Sequence, residues 1–342
     1  YENELTAYLT HYLVDEYEAR AAKAWNRDYS SISAFKRSVE PNREKWASMV
    51  IKPPVLRKTG ALKTRPYLLG DVKAEWIELP LGMIKAEAIL AFPPNVSKDR
   101  PVPIVIVQHG IGSDPESPFE ENGDLSKEYH AYAKALLKAG FAVLAPLNLR
   151  DDERRNHIAN LCRLANISLP GIELVRLQNL LDTVLNDPRI DKDKVGMWGV
   201  SLGGMATMFF MPLEPRIKAG VVAGWFNERR NKMVIPDKRY SSFWPLESHA
   251  FFSGWLTQFS DDDLVSLICP RPLMIQTGKK DNIAYWPQVI DEFKEAKVPY
   301  EKFGIDDRIQ LLIHEGIHET IVDAGVNFLT KWLVQNNKSK SK

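Results

Sequence analysis

The chain has 342 residues, 44% of them hydrophobic and 26% charged, with 45 Lys and Arg against 44 Asp and Glu for a net charge of +1. That composition excludes a disordered chain and supplies a core for one large domain or two ordinary ones. Near-neutrality gives no electrostatic reason to expect nucleic acid or an anionic membrane as partner, and the longest apolar runs, "VPIVIV" and "AGVVAGW", are too short to span a bilayer. Two cysteines, Cys162 and Cys269, fit no zinc spacing and read as buried small hydrophobes, with a single disulfide as the alternative. No metal or cofactor motif stands out, and the sequence does not set the oligomeric state. Because the chain opens on Tyr1, removal of an upstream segment is expected, and with it a periplasmic or secreted location, a cytoplasmic one being the alternative.

Residues 1 to about 50 read as helices. Leu5, Tyr8, Leu9, Tyr12 and Leu13 recur at helical spacing, and Pro41 suits the first turn of a later segment. The basic stretch "IKPPVLRKTGALKTRP" reads as a connector, so residues 1–71 form a helical extension and linker ahead of a main domain over 72–338. From Val72 the period changes. "VKAEWIELPLGMIKAEAILAFPP" holds two alternating runs about a turn, the pattern of an antiparallel hairpin. Short apolar runs then alternate with helix-like stretches: "VPIVIVQHG", "SKEYHAYAKALLKAG", "FAVLAPL", "GIELVRLQNLLDTVLND", "KVGMWGV", a helix from Leu202, "IKAGVVAGW", "PLMIQTG", "WPQVIDEFKEAK", "IQLLIH" and a last helix from about Glu319. This rhythm predicts an α/β fold, a mostly parallel sheet with helices on both faces. One segment breaks it. Residues 225–268, rich in aromatic side chains, read as a cap-like insertion before the strand "PLMIQTG".

"MWGVSLGG", residues 197–204, contains G-x-S-x-G around Ser201. Chance puts that pattern in roughly one chain in ten of this length, so the context has to carry it. The context is a buried strand before and a helix after, which a nucleophile elbow requires. A serine hydroxyl needs a base, and the base needs a carboxylate to fix its tautomer. On this architecture both follow the serine, acid first. Asp281 lies just past "PLMIQTG", with Glu228 as the alternative acid; His318 lies past Gly316 in the loop before the last helix, while His314 ends a strand and is expected to order that loop. The oxyanion donors are expected to be the amides of Leu202 and, in "HGIG", of Ile111; His109 is expected to order its loop. Trp225 and Trp244 are expected to wall the pocket, with Arg150, Asn227 or Arg229 supplying polar contacts.

Together, "HGIG", "DPRIDKDKVGMWGVSLGG", "LICPRPLMIQTGKKD" and "HEGIHE" resemble the α/β-hydrolase superfamily, and within it the dienelactone-hydrolase-like and acetyl-xylan-esterase-like branch, over about residues 72 to 336. The resemblance implies Ser201, Asp281 and His318 as triad. It departs from the glucuronoyl esterases, which carry arginine where this chain has Leu202. The expected function is a serine esterase acting on small acyl esters, acetyl first, with a carbohydrate as the alcohol and an oligosaccharide or other small molecule as the partner. The alternatives are a peptidase of the prolyl-oligopeptidase type, for which about 70 N-terminal residues are too few to build a propeller, and a non-catalytic binding protein on the same fold.

Overall fold

A computed structural model describes residues 1–237, 239 and 247–335. Its described residues form one nine-stranded sheet: β1 (Lys63–Leu69), β2 (Val72–Leu81), β3 (Ile84–Ala91), β4 (Val102–Gln108), β5 (Ala142–Pro146), β6 (Ile190–Val200), β7 (Ile217–Ala223), β8 (Leu273–Gly278) and β9 (Ile309–His314). The spatial order is β1-β2-β3-β5-β4-β6-β7-β8-β9, antiparallel through β1, β2, β3 and β5 and parallel from β5 onward. The expected hairpin is β2–β3, closing at Leu81↔Ile84 around Gly82.

The central strands alternate between two cores. In β4, Ile104 and Ile106 face one cluster while Val105 and Val107 face the other; in β6, Val195 and Met197 oppose Trp198 and Val200. Burial on both faces is why these strands read as continuous apolar runs. Helices Leu169–Val184, Leu202–Phe210 and Asp261–Ile268 cover the first face, and Tyr132–Lys138 and Val322–Thr330 cover the second.

Three features go beyond the sequence reading. The connector contributes a strand, β1, on the exposed edge of the sheet. The N-terminal helices pack on the main domain, since Tyr17, Trp25, Phe35, Val39, Trp46, Val50 and Ile51 lie in the main core, while the first two helical segments, Glu2–Thr10 and His11–Asp15, bury no residue. The helix expected over "SKEYHAYAKALLKAG" is two helices, Ser126–Tyr129 and Tyr132–Lys138, separated by His130 (φ 49°) and Ala131 (φ 48°) in the left-handed region. Cys162 and Cys269 are both free and buried. Among the described residues no helix is long and apolar enough to cross a membrane.

The connection leaving β4 runs to β5 on one side, while that leaving its other neighbour, β6, runs to β7 on the opposite side. Such a switch point opens a crevice outside the carboxyl ends of the strands, here those of β4 and β6.

Candidate active site

β6 ends at Val200 and the helix Leu202–Phe210 starts two residues later, leaving Ser201 alone to turn the chain. Its φ of 58° and ψ of −120° lie outside the regions where an L-residue is comfortable. The flanking glycines make so tight a turn sterically feasible. A Cβ on Gly199 would sit 2.0 Å from Gly203 O, and one on Gly203 would sit 2.0 Å from Gln108 O at the end of β4. The Ser201 amide donates to Ala223 O at 2.9 Å, tying the elbow to the end of β7.

His318 comes to the same place. Its ring rests on Gly224, where a Cβ would meet Cε1 at 2.7 Å, and its Nδ1–H donates to Asp281 Oδ2 at 2.7 Å. His318 Nε2 is buried and takes no partner among the described residues. Asp281 is buried, and its other oxygen accepts the Ile283 amide at 2.9 Å, so the carboxylate is held from both sides. The alternative acid, Glu228, is engaged elsewhere: it caps the helix Arg229–Val234 through Asn231 N at 2.8 Å and pairs with Arg230 at 2.5 Å. His314 accepts the Gly316 amide at 3.2 Å through Nδ1, and burial lowers its pKa.

The loop after β4 lies against the serine, since a Cβ on Gly110 would meet Ser201 Cβ at 3.2 Å. Within that loop the Gly110 amide donates to Tyr129 Oη at 2.7 Å and the Gly112 amide to Arg150 O at 2.8 Å. Ile111 N, between them, has no acceptor among the described residues, and neither has Leu202 N. His109 is buried, donates from Nδ1 to Gly110 O at 2.9 Å and accepts Asn148 N at 3.1 Å on Nε2; desolvation lowers its pKa to about 4, which keeps it neutral.

The expected substrate contacts fare differently. Trp225 is only 6% exposed, edge-on to Phe209 at 6.2 Å between ring centroids, and covered by the Arg229 guanidinium 4.4 Å from its own centroid. It is a wall of the core, not an open stacking platform. Arg229 is itself buried, with Nη2 paired to Asp261 at 2.6 Å; Asn227, also buried, donates its backbone N–H to the same carboxylate at 3.0 Å. Arg150 is exposed and paired with Asp114 at 2.7 Å. Trp244 lies outside the described residues.

This chain's sequence matches the profile of the Abhydrolase family across residues 73–285, more than half its length. The chain belongs to the Abhydrolase family. A family match over the elbow and the acid loop agrees with the α/β-hydrolase architecture of the sheet. A Bacillus subtilis (strain 168) protein named "Putative hydrolase YtaP" is 26% identical over 265 residues, 74% of this chain and 85% of the relative. Among solved structures, a Bacteroides fragilis NCTC 9343 protein described as a "putative acetyl xylan esterase" superposes with TM-score 0.66 at 16% identity, over 94% of this chain and 92% of that one. A glucuronoyl esterase from Solibacter usitatus gives TM-score 0.64 at 12% identity, covering 87% and 93%. At such identities the two structures speak to the fold.

Sequence reasoning missed Tyr129, Ser113 and Lys232. Tyr129 and Ser113 bond to each other at 2.7 Å, and burial pushes the Tyr129 phenol up to about 12, so it stays protonated. Lys232, in the insertion, donates to Ile283 O beside Asp281, and its burial lowers its pKa to about 7. No local pattern marks any of the three; each acts across a tertiary contact.

Proposed function

We propose that this Abhydrolase-family protein is a serine esterase that cleaves small acyl esters through an acyl-enzyme. The observation that carries the reading is the convergence on the end of β7 of a strained Ser201 and a His318 already paired to Asp281. His318 Nε2 accepts the serine proton as Oγ attacks the ester carbonyl. The oxyanion is held by the amides of Leu202 and Ile111, and the imidazolium then protonates the departing alcohol. Water attacks the acyl-serine with the same histidine as base, restoring the enzyme. Asp281 keeps the proton on Nδ1 so that Nε2 is free to accept.

For the substrate we propose an acetyl group on a carbohydrate. Support comes from the sequence resemblance and from fold neighbours described as a "putative acetyl xylan esterase" and a glucuronoyl esterase. Trp225 is withdrawn as a sugar platform; Arg150, at the rim of the Gly110–Gly112 loop, remains the polar group proposed to meet the alcohol. Leu202 argues against a glucuronate ester as the preferred substrate. A periplasmic or secreted location fits a polysaccharide-derived substrate and is part of the same proposal.

The test is a substrate panel on the purified protein and on Ser201→Ala: p-nitrophenyl esters of increasing chain length, acetylated oligosaccharides and methyl glucuronate. Acetyl esters should be turned over fastest. The alanine variant should fold and lose several orders of magnitude in kcat, although a residual catalysis of roughly 10³–10⁴-fold over water can survive loss of a triad member. Near-wild-type turnover by Ser201→Ala overturns the mechanism. A preference for long chains or for the glucuronate ester overturns the substrate.

A further inference from the structure

Between β4 and β5 the chain makes an expensive detour. His130 and Ala131 are consecutive non-glycine residues with φ of 49° and 48°, in the middle of what the sequence reads as one helix. Each such residue costs on the order of 1–3 kcal/mol and persists only where its surroundings enforce it. What the break accomplishes is visible in the three residues around it.

Tyr129 is buried, and its hydroxyl closes a ring of hydrogen bonds on the loop that faces Ser201. Gly110 N–H donates to Tyr129 Oη at 2.7 Å, Tyr129 Oη donates to Ser113 Oγ at 2.7 Å, and Ser113 Oγ donates to Gly110 O at 2.9 Å. With both its amide and its carbonyl engaged, Gly110 is fixed, and with it the peptide that presents Ile111 N. The neighbours of Tyr129 reach the other way. Glu128 O accepts the Thr320 amide at 3.0 Å, and His130 Nε2–H donates to Glu319 Oε2 at 2.5 Å, while Glu319 Oε1 accepts Ile317 N at 2.9 Å. The contacts from Glu128 and His130 thus land on the two residues after His318, and Glu319 ties back to Ile317 before it.

We propose that Glu128, Tyr129 and His130 form a positioning clamp that sets the Gly110–Ile111 loop and the His318 loop in register across Ser201. In an uninterrupted helix the Glu128 carbonyl would accept the Tyr132 amide four residues on, and would not be free for the Thr320 amide. The left-handed pair turns the chain immediately after Tyr129, so that its phenol serves one loop and the flanking groups the other. None of the three need touch substrate; they act through Gly110, Ile111 and His318. The proposal rests on the serine esterase reading.

The experiment compares Tyr129→Phe with Tyr132→Phe. Tyr132 is as deeply buried, but its hydroxyl bonds Trp198 O at 3.3 Å and, among the described residues, makes no hydrogen bond to either loop. Both variants lose a buried hydroxyl, so both should melt somewhat lower. Only Tyr129→Phe should lose kcat, by about 10- to 100-fold with KM changed less than about threefold, since loss of a whole oxyanion donor costs about 10²–10³ and misplacement costs less. For the second arm, His130→Ala should lower kcat and His130→Gln, which keeps a donor for Glu319, should recover most of it. If Tyr129→Phe does not fold, Ser113→Ala opens the same ring and takes its place. Equal kcat for Tyr129→Phe and Tyr132→Phe, or equal losses in His130→Ala and His130→Gln, overturns the clamp. Ser201→Ala is run alongside: if it stays active the esterase reading has failed, whereas an inactive Ser201→Ala with an unimpaired Tyr129→Phe sinks the clamp alone.

Discussion

His314 and His318 share one segment but face different tasks, and the difference is set by which ring nitrogen is already committed. His314 spends Nδ1 on the Gly316 amide inside its own turn, whereas His318 spends Nδ1 on Asp281 and leaves Nε2 buried without a partner among the described residues. His318→Ala is therefore expected to abolish acylation at nearly unchanged melting temperature, and His314→Ala to loosen the loop and cost stability first. Pre-steady-state acylation beside a thermal melt separates them; a larger kcat loss in a well-folded His314→Ala would reverse the two roles. His109 makes a different prediction. Its folded pKa of about 4 lies below the ordinary value of 6.5, so the unfolded chain binds a proton between those limits that the folded one refuses. Stability from this group is present above about pH 6.5 and is lost as pH falls toward 4, by up to roughly 3 kcal/mol. The stability advantage of the parent over His109→Asn should shrink across that window in denaturant titrations. An advantage that stays constant or grows would mean the buried imidazole is not held neutral.

At the level of elements, the N-terminal helices matter more than their sequence suggested. Trp46 is fully buried, edge-on to Phe209 at 4.9 Å and to Phe259 at 5.3 Å, with its indole N–H donated to Phe209 O at 3.2 Å. Phe209 belongs to the helix that begins at the elbow, so this packing backs the nucleophile. Trp46→Ala should cost about 3–5 kcal/mol, read as a lower denaturation midpoint; a cost below about 1 kcal/mol would show that these helices are not part of the core. The elements that were legible in the sequence are those whose burial leaves a one-dimensional trace. β4, β6 and β8 are apolar on both faces, and the elbow is marked by glycines that only a close backbone approach requires. β1 left little trace because it is an edge strand, largely exposed and carrying Lys63, Arg65 and Pro66, residues that mask an edge and dilute the strand pattern. The break at His130–Ala131 left none, because no glycine or proline marks it and its causes lie on Gly110, Glu319 and Thr320, far away in the chain.

For the whole molecule, the site is assembled from segments near residues 110, 129, 201, 224, 281 and 318, gathered only when the complete sheet is in place. Nor does the core end where the main domain was expected to begin. Tyr17, Trp25, Phe35, Val39, Trp46, Val50 and Ile51 share one cluster with Met197 of β6 and with Met205 and Phe209 of the elbow helix. Fully burying a large apolar side chain is worth about 1.5–3 kcal/mol, so these seven together contribute roughly 10–20 kcal/mol, as much as the entire 5–15 kcal/mol margin of an ordinary domain. A chain started at Val72 should therefore show neither a cooperative thermal transition nor ester turnover, even though it retains Ser201, Asp281 and His318. Removing only residues 1–10 should behave otherwise, because the helix Glu2–Thr10 buries no residue and exposes Leu5, Tyr8 and Leu9. That shorter deletion is expected to keep its melting temperature within a few degrees and its kcat within about twofold. Calorimetry and p-nitrophenyl acetate turnover on the two truncations decide the matter: a folded, active chain from Val72 would make residues 1–71 an appendage, and a single shared transition lost only in the longer deletion would make them part of the enzyme's core.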